Sequence, residues 1–208
     1  MALNNYSNLK ASIISWSHRD DVTTLIDDFI LIAEEAMFAH PDFPLQLRQM
    51  EARATASAST SSRFLALPDR FINMRRLKIN AAGGDCDVTF LTPEQMPLSG
   101  TSGQPRFFSV TSQIEFDRQP DSAYTVEMQY FAAPLPLDAT NSTNDVLTNH
   151  PTVYLYGALW ALSGWAGDME KEAMYLNKFT MAIRGANKEF KQGRYGPAPK
   201  IRIEGPTP

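Results

Sequence analysis

Three histidines and one cysteine are the residues of this sequence that most readily bind metals or attack substrates. His18, His40 and His150 fall in three separate predicted turns, and none has a second histidine or a carboxylate at a spacing typical of metal ligands. Cys86 is the single cysteine, which excludes an internal disulfide and a thiolate metal cage. We predict that the histidines face solvent and that the protein holds no metal and no cofactor.

Carboxylates offer two further candidate sites. The segment 83–87 brings two aspartates together, but a calcium loop needs roughly six or more oxygen ligands, so we interpret the segment as a hairpin turn. Glu115, Asp117 and Glu127 include candidates for the acid pair of a glycosidase. The sequence does not pair them, and most carboxylates on strands face water.

A serine nucleophile would need a Gly-x-Ser-x-Gly elbow between a strand and a helix. The segment Ser99–Gly103 resembles that elbow only in composition, because it lies between predicted strands. The sequence has neither a phosphate-binding Gly-Lys loop nor a dinucleotide fingerprint. We therefore predict that the protein is not an enzyme but a structural subunit that packs against other subunits.

Two amphipathic helices are predicted at the start of the chain. Ser7 is the expected N-cap of the first helix, which carries Leu9 and Trp16. The second helix covers Val22 to Ala39, with Glu34 among the acids on its polar faces.

Two more helices are predicted near the end of the chain. One begins at Pro151 and is apolar nearly all round as far as Trp165, so its Tyr154, Tyr156, Trp160 and Trp165 belong either to a core or to a buried subunit interface. The other covers about 169–192 and ends at Gly193.

The middle of the chain reads as short strands separated by Gly, Pro, Ser and Asp. The fold class is therefore α+β, with a four-helix assembly from both ends of the chain, a small inserted antiparallel β-domain and an extended C-terminal tail. The expected boundaries are 1–44 with 145–193 for the helical domain, 45–137 for the β-rich domain, 138–144 for a linker and 194–208 for a C-terminal arm.

Charge is distributed unevenly along the chain. The net charge is −4, yet residues 171–204 carry eight basic and three acidic side chains, so the first 170 residues sum to −9. A surface that grips nucleic acid is not expected on such an acidic body. The arm places Tyr195, Ile201 and Ile203 among prolines and cations in a segment too short to bury them, so it is either disordered or docked on a neighbour.

The start of the sequence lacks a basic region followed by an apolar run, and no window approaches 18 consecutive apolar residues. We expect no signal peptide and no membrane span, and a protein that is soluble and intracellular when made.

Several short motifs, taken in order, resemble the head-to-tail adaptor, or connector, proteins of short-tailed bacteriophages. The resemblance covers nearly the whole chain, and its specificity lies in the order of the motifs. These are Leu9–Ile13 with Trp16, Phe29–Glu34, Arg48–Glu51, Leu65–Phe71, Pro105–Phe108, Tyr124–Glu127, and Leu147–Tyr156 with Gly157–Leu159.

The resemblance implies a ring, commonly of twelve subunits, that binds beneath the portal protein and joins the head to the tail in the virion neck. Helices would surround a channel through which DNA passes without specific binding, and the β part would meet a tail nozzle, tubular or fibre protein. Assembly would take place in the cytoplasm of the bacterial host. The resemblance also implies that the arm binds the portal through Arg194, Tyr195, Pro197, Pro199, Lys200, Ile201, Arg202 and Ile203.

Two other functions stay open. The β region could bind a glycan or a host surface, with the helices as an oligomerisation stalk, although all three Trp fall in predicted helices. Alternatively, two converging carboxylates could make the protein a hydrolase.

Overall fold

The structure is a computed structural model that describes residues 3–39, 44–81, 83–97 and 99–195. Its helices are α1 (Tyr6–Ser17), α2 (Ile26–Ala39), α3 (Asp145–Asn149), α4 (Pro151–Trp165) and α5 (Met169–Tyr195). Its strands are β1 (Glu51–Ser57), β2 (Phe64–Leu65), β3 (Phe71–Ala81), β4 (Gly84–Phe90), β5 (Phe107–Val110), β6 (Ile114–Phe116) and β7 (Thr125–Ala132).

The described residues fall into two compact units, one drawn from Met1–Arg48 and Pro134–Pro208 and the other from Gln49–Ala133. The helices named above belong to the first, or helical, unit and the strands to the second, or β, unit. The predicted α+β fold class, with helices from both ends of the chain and strands between them, is confirmed.

Helix α4 packs against both α2 and α5, which explains why its sequence is apolar nearly all round. Gly157 permits this close packing, because a Cβ atom at that position would lie 2.8 Å from the Ala33 Cβ and 2.9 Å from the Phe179 ring. The buried residues of the helical unit include Ile30 and Met37 of α2, Tyr154 and Leu159 of α4, and Phe179 and Ile183 of α5.

The first two helices begin at other residues than the sequence predicted. Asn5, and not Ser7, caps α1, because its side-chain oxygen accepts a hydrogen bond from the Asn8 amide at 2.8 Å. Helix α2 begins at Ile26 and not at Val22. The Thr23 hydroxyl instead donates to the Asp20 carbonyl at 2.7 Å, which favours a turn over a helix in this segment.

Two corrections concern the later helices. The short helix α3 was not predicted, and Asn144 caps it by accepting a hydrogen bond from the Leu147 amide at 2.9 Å. Gly193 does not end α5, which continues to Tyr195, since one glycine in a helix costs only about 1 kcal/mol. Arg194 and Tyr195 therefore lie in a helix and not in an extended arm.

The β unit is one seven-stranded sheet in the order β1-β7-β3-β4-β5-β6-β2. Its strand pairs are antiparallel except for β4 with β5, which corrects the prediction of a purely antiparallel domain. The hairpin of β3 and β4 closes between Ala81 and Gly84. The core of the unit includes Leu77, Ile79, Val88, Phe108, Ile114, Phe116, Val126 and Met128.

Candidate functional site

The two histidines that the structure describes lie on different elements. His18 ends α1 with a left-handed backbone, φ 53°, and His150 lies between α3 and α4, with Nε2 3.9 Å from the Glu189 Oε2. His40 lies outside the described residues. Within the ranges that the structure describes, no group of three or more His, Cys, Asp or Glu side chains could hold a metal ion.

The strand carboxylates each make a separate structural contact. Glu115 forms an ion pair with Arg63 at 3.2 Å, and Glu127 accepts a hydrogen bond from the Asn80 amide group at 3.1 Å. Asp117 is fully buried, and its Oδ1 accepts the Arg106 amide at 2.9 Å. Each of these three carboxylates therefore has a structural partner of its own.

The two loop candidates are also structural. Asp85 and Asp87 lie on β4 and form ion pairs with Lys78 at 3.7 Å and with Arg76 at 2.7 Å, while Cys86 between them is exposed. In the Ser99–Gly103 loop, the Ser99 hydroxyl is 2.9 Å from that of Thr101. Neither arrangement brings a general base to a nucleophile.

A buried hydrogen-bond network joins three parts of the helical unit. The Oε1 atom of Glu34 on α2 accepts hydrogen bonds from the Leu137 amide at 2.9 Å and from the Tyr154 hydroxyl at 2.7 Å. The Asn144 side chain donates to the Tyr154 hydroxyl at 2.7 Å and to the Leu135 carbonyl at 2.8 Å. The network thereby fastens the segment that leaves the β unit to α2 and α4.

Burial raises the pKa of the Glu34 carboxyl above its ordinary value, although the hydrogen bonds from Leu137 and Tyr154 oppose that shift. Burial, together with the nearby Glu34, raises the pKa of the Tyr154 hydroxyl as well. The sequence placed Glu34 on a polar face, and this was wrong because the side chain is only 8% exposed. The spacing of Glu34 could have indicated its burial, because it lies four residues after Ile30 and three before Met37. Residues at such steps share one side of a helix.

Large apolar side chains are exposed on the helical unit, as subunit interfaces require. Those on α2 and α5 are Leu31, Ile32, Met169, Met174, Leu176 and Met181. Met169 is 80% exposed and Met181 is 64% exposed.

Two tryptophans add to this exposed surface. Trp16 near the end of α1 contacts Tyr156, with ring centroids 6.1 Å apart, and is 47% exposed. Trp165 at the end of α4 packs against Phe29 and lies under the Arg19 guanidinium, 5.3 Å from the ring centroid, yet it is 53% exposed. Tyr154 belongs to the core, so the aromatic residues of α4 divide between a core and an open surface.

The exposed apolar residues of α5 lie on two different sides of that helix. Successive residues of an α-helix are rotated by about 100°. Relative to the buried Tyr175, Met174 and Met181 are rotated by about 100–120° in one direction. Leu176 and Met169 are rotated by about 100–120° in the other.

The predicted portal-binding residues fall largely outside what the structure describes. Arg194 and Tyr195 form the last two positions of α5. Pro197, Pro199, Lys200, Ile201, Arg202 and Ile203 lie outside the described residues.

Comparison with protein families supports a structural subunit. The family model described as SU10 adaptor protein matches residues 4–200, which is nearly the whole chain. The chain belongs to the SU10 adaptor protein family. The predicted resemblance to phage head-to-tail adaptors is confirmed, and the adaptor has a structural role in the neck of the virion. Among the curated proteins that were compared with it, none matches.

Membership of this family agrees with the geometry of the adaptor. The candidate carboxylates Glu115 and Asp117 are engaged in an ion pair and a hydrogen bond, whereas the helices expose several large apolar side chains. Over the part of the adaptor that the structure describes, every helix is too short or too polar to cross a bilayer.

Proposed function

We propose that this adaptor forms a closed ring, of twelve subunits, beneath the portal, where it extends the DNA channel and joins the head to the tail. The observation that carries the proposal is the exposure of apolar side chains on two sides of α5. A cyclic ring needs heterologous contacts, in which one patch of each subunit meets a different patch of its neighbour. Two apolar sides on one helix supply two such patches.

Introducing a negative charge on one side of α5 tests whether the ring forms through that helix. Met181→Asp removes an apolar side chain and adds a charge on one side, and Leu176→Asp does so on the other. Each variant alone is expected to fail to form rings in the presence of portal rings, as seen by native mass spectrometry and negative-stain electron microscopy. The matched control is Asn177→Asp, an exposed position on the same helix that loses no apolar contact.

Mixing the two variants separates a ring contact from a two-fold dimer. Each variant retains one intact side, so a mixture is expected to give one-to-one pairs that cannot extend. Normal rings from either single variant would contradict the proposed role of α5.

The end of α5 and the C-terminal arm are proposed to bind the portal, through Arg194 and Tyr195 of the helix and the six arm residues given above. Deletion of residues 196–208 removes the arm but leaves α5 complete to Tyr195. The shortened adaptor is expected to fold normally and to lose binding to isolated portal rings in a pull-down. Unchanged portal affinity would contradict the role of the six deleted residues.

The net charge of −9 over the first 170 residues supports the proposed channel, because negative charge repels the DNA backbone. Assembled rings are expected to retain no double-stranded DNA at physiological salt. The alternative, glycan binding by the β unit, lacks support, since the tryptophans lie in α1 and α4.

A further inference from the structure

The outer face of α2 carries two apolar side chains between two acids. Leu31 is 61% exposed, and Ile32 beside it is 43% exposed. Asp28 precedes Leu31 by three residues and Glu35 follows it by four, so these three side chains are neighbours along one stripe of the helix. Neither acid has a side-chain hydrogen bond or ion pair within the described ranges. This α2 stripe of Asp28, Leu31 and Glu35 is therefore apolar at its centre and negatively charged at both ends.

Helix α5 repeats this spacing with the opposite charge. Met174 is 41% exposed, Lys171 precedes it by three residues and Lys178 follows it by four. These three residues form the α5 stripe, on the side of the helix that also carries Met181. In both stripes the two like charges are seven residues apart, which is about 10 Å along a helix.

The two lysines of the α5 stripe are accessible to acids from outside the subunit. The Lys178 Nζ lies 5.7 Å and 5.5 Å from the ring centroids of Tyr156 and Tyr175, and it has no acidic partner in the part of the chain that the structure describes. Lys171 pairs with Asp168 at 2.9 Å, but its side chain is 63% exposed, and exposed pairs of this kind contribute little to stability.

A cavity of about 190 Å³ lies beside the α5 stripe, where the end of α1 meets α4 and the start of α5. Its lining includes Trp16, Leu159, Leu162 and Tyr175, and Lys171 also borders it. Trp16 is half-exposed, and a tryptophan at the edge of a cavity is a common anchor of protein interfaces. The cavity offers space for an apolar side chain of a docked helix.

The two stripes lie on different sides of the helical unit. Ala33 of α2 and the Phe179 ring of α5 both approach Gly157 of α4. Phe179 is rotated by about 40° from Tyr175 in the direction of Leu176, so α2 adjoins the Leu176 side of α5. The α5 stripe lies on the other side of that helix, next to α1. Two different surfaces of one subunit can join copies head to tail, as a closed ring requires.

We propose that the α2 stripe of each subunit docks on the α5 stripe of the next, with Leu31 against Met174 and the two acids facing the two lysines. A second copy of this chain fits the surface because the charges are opposite and their spacing is the same. The acids meet the lysines whichever way the neighbouring helix runs. Opposite charges around an apolar centre give an interface specificity. The inference rests on the proposed ring and names the surface that meets the Met174 side of α5.

Charge reversal of one stripe tests the contact in the full-length adaptor. Asp28→Lys/Glu35→Lys makes both stripes of a subunit positive, and Lys171→Glu/Lys178→Glu makes both negative. Like charges then face each other at every contact. Each variant is expected to need at least about tenfold more protein than the wild type to form rings in the presence of portal rings. Native mass spectrometry measures the assembled fraction.

Combining the reversed stripes separates the contact from a folding defect. A mixture of the two variants restores opposite charges at each contact, so rings in which the two variants alternate are expected. A single chain with all four substitutions is expected to form rings by itself at close to the wild-type concentration. Lys188→Glu/Lys191→Glu is the matched control, because it makes the same charge change on exposed positions of α5 beyond the stripe, and it should form normal rings. Absence of rescue in both combinations would overturn the proposal.

Cysteine cross-linking supplies a second measurement. In a Cys86→Ser background, Leu31→Cys with Met174→Cys is expected to form disulfides between chains under mild oxidation, seen as a ladder of covalent multimers. Leu31→Cys with Leu176→Cys is the matched control, because Leu176 and Met174 are each 41% exposed but lie on different sides of α5. The control is expected to give at least about tenfold fewer disulfides between chains.

The outcomes distinguish this inference from the proposed ring. Cross-linking through Leu31→Cys and Met174→Cys into open chains that never close would contradict only the ring. Normal rings from both charge-reversed variants, or equal cross-linking of the two cysteine pairs, would overturn the inference while leaving the ring intact.

Discussion

The Tyr154 hydroxyl on α4 donates a 2.7 Å hydrogen bond to the Glu34 carboxylate on α2, inside the helical core. Glu34 also accepts from the Leu137 amide, and Asp138 is the nearby charge that raises its pKa further. A carboxylate in such a place links the stability of the helical unit to pH.

Stability should therefore fall as pH rises through the titration of Glu34. Burial raises its folded-state pKa, so above the ordinary value of about 4.3 the unfolded chain loses its proton first. Below that value Glu34 makes its greatest contribution to the free energy of unfolding. The contribution decreases as the pH rises towards the raised pKa of the folded state. Urea denaturation of the wild type and Glu34→Gln, from about pH 4 to pH 7, should show a difference that changes with pH. A constant difference would contradict the prediction.

Gly157→Ala should destabilise the helical unit by about 1–3 kcal/mol. The added methyl group would lie 2.8 Å from the Ala33 Cβ and 2.9 Å from the Phe179 ring, so α2 or α5 must move away from α4. The control is Gly185→Ala on α5, which meets no atom within 4 Å and should stabilise the helix by about 0.5–1 kcal/mol. Thermal unfolding of both variants measures the contrast.

Asp117→Ala should destabilise the β unit by about 1–3 kcal/mol or more. Its Oδ1 accepts the amides of Arg106 and Phe107, at 2.9 and 3.2 Å, and its Oδ2 accepts the Arg118 Nε at 2.8 Å. Asp121→Ala, at an exposed position, should change stability by no more than about 0.5 kcal/mol. If denaturant unfolding shows the same loss of stability for Asp117→Ala and Asp121→Ala, the buried hydrogen bonds of Asp117 do not stabilise the β unit.

Ser109→Ala should stabilise the β unit by about 1 kcal/mol. The Ser109 hydroxyl is fully buried on β5 and has no hydrogen-bond partner in the described structure, so its removal relieves a desolvation cost. Ser57→Ala on β1 is the matched control, because that serine is exposed and should tolerate the change. A loss of stability in Ser109→Ala would indicate a partner for the hydroxyl.

The sequence predicted the fold class, and it predicted individual elements where a local pattern of residues indicated them. Helix α4 was predictable because its residues are apolar nearly all round, and the β3–β4 hairpin was predictable from the glycines at 83 and 84. Strand β1 was not assigned individually. Its alternation uses Ala52, Ala54 and Ala56, which have weak strand propensity, and its partner β7 is distant in sequence.

The surroundings of the candidate site residues were harder to predict from the sequence, because contacts between distant parts of the chain determine them. From spacing alone we expected neither a metal site nor a nucleophile, but the sequence could not place Asp117 in a buried loop or Glu34 in a core. The two-sided exposure of α5 became visible only once Tyr175 and Phe179 were known to be buried. Periodicity identifies a buried stripe, but it does not show which flanking residues other helices cover.

Glu51 and Phe131 face each other across β1 and β7, so the chain enters and leaves the β unit about 5 Å apart. An insertion whose two ends meet this closely can be exchanged as a cassette, because a short turn can replace it without separating the flanking segments. Under the proposed function, adaptors built on one helical scaffold could therefore acquire new tail partners by replacing this cassette, while the ring contacts proposed for α5 stay unchanged.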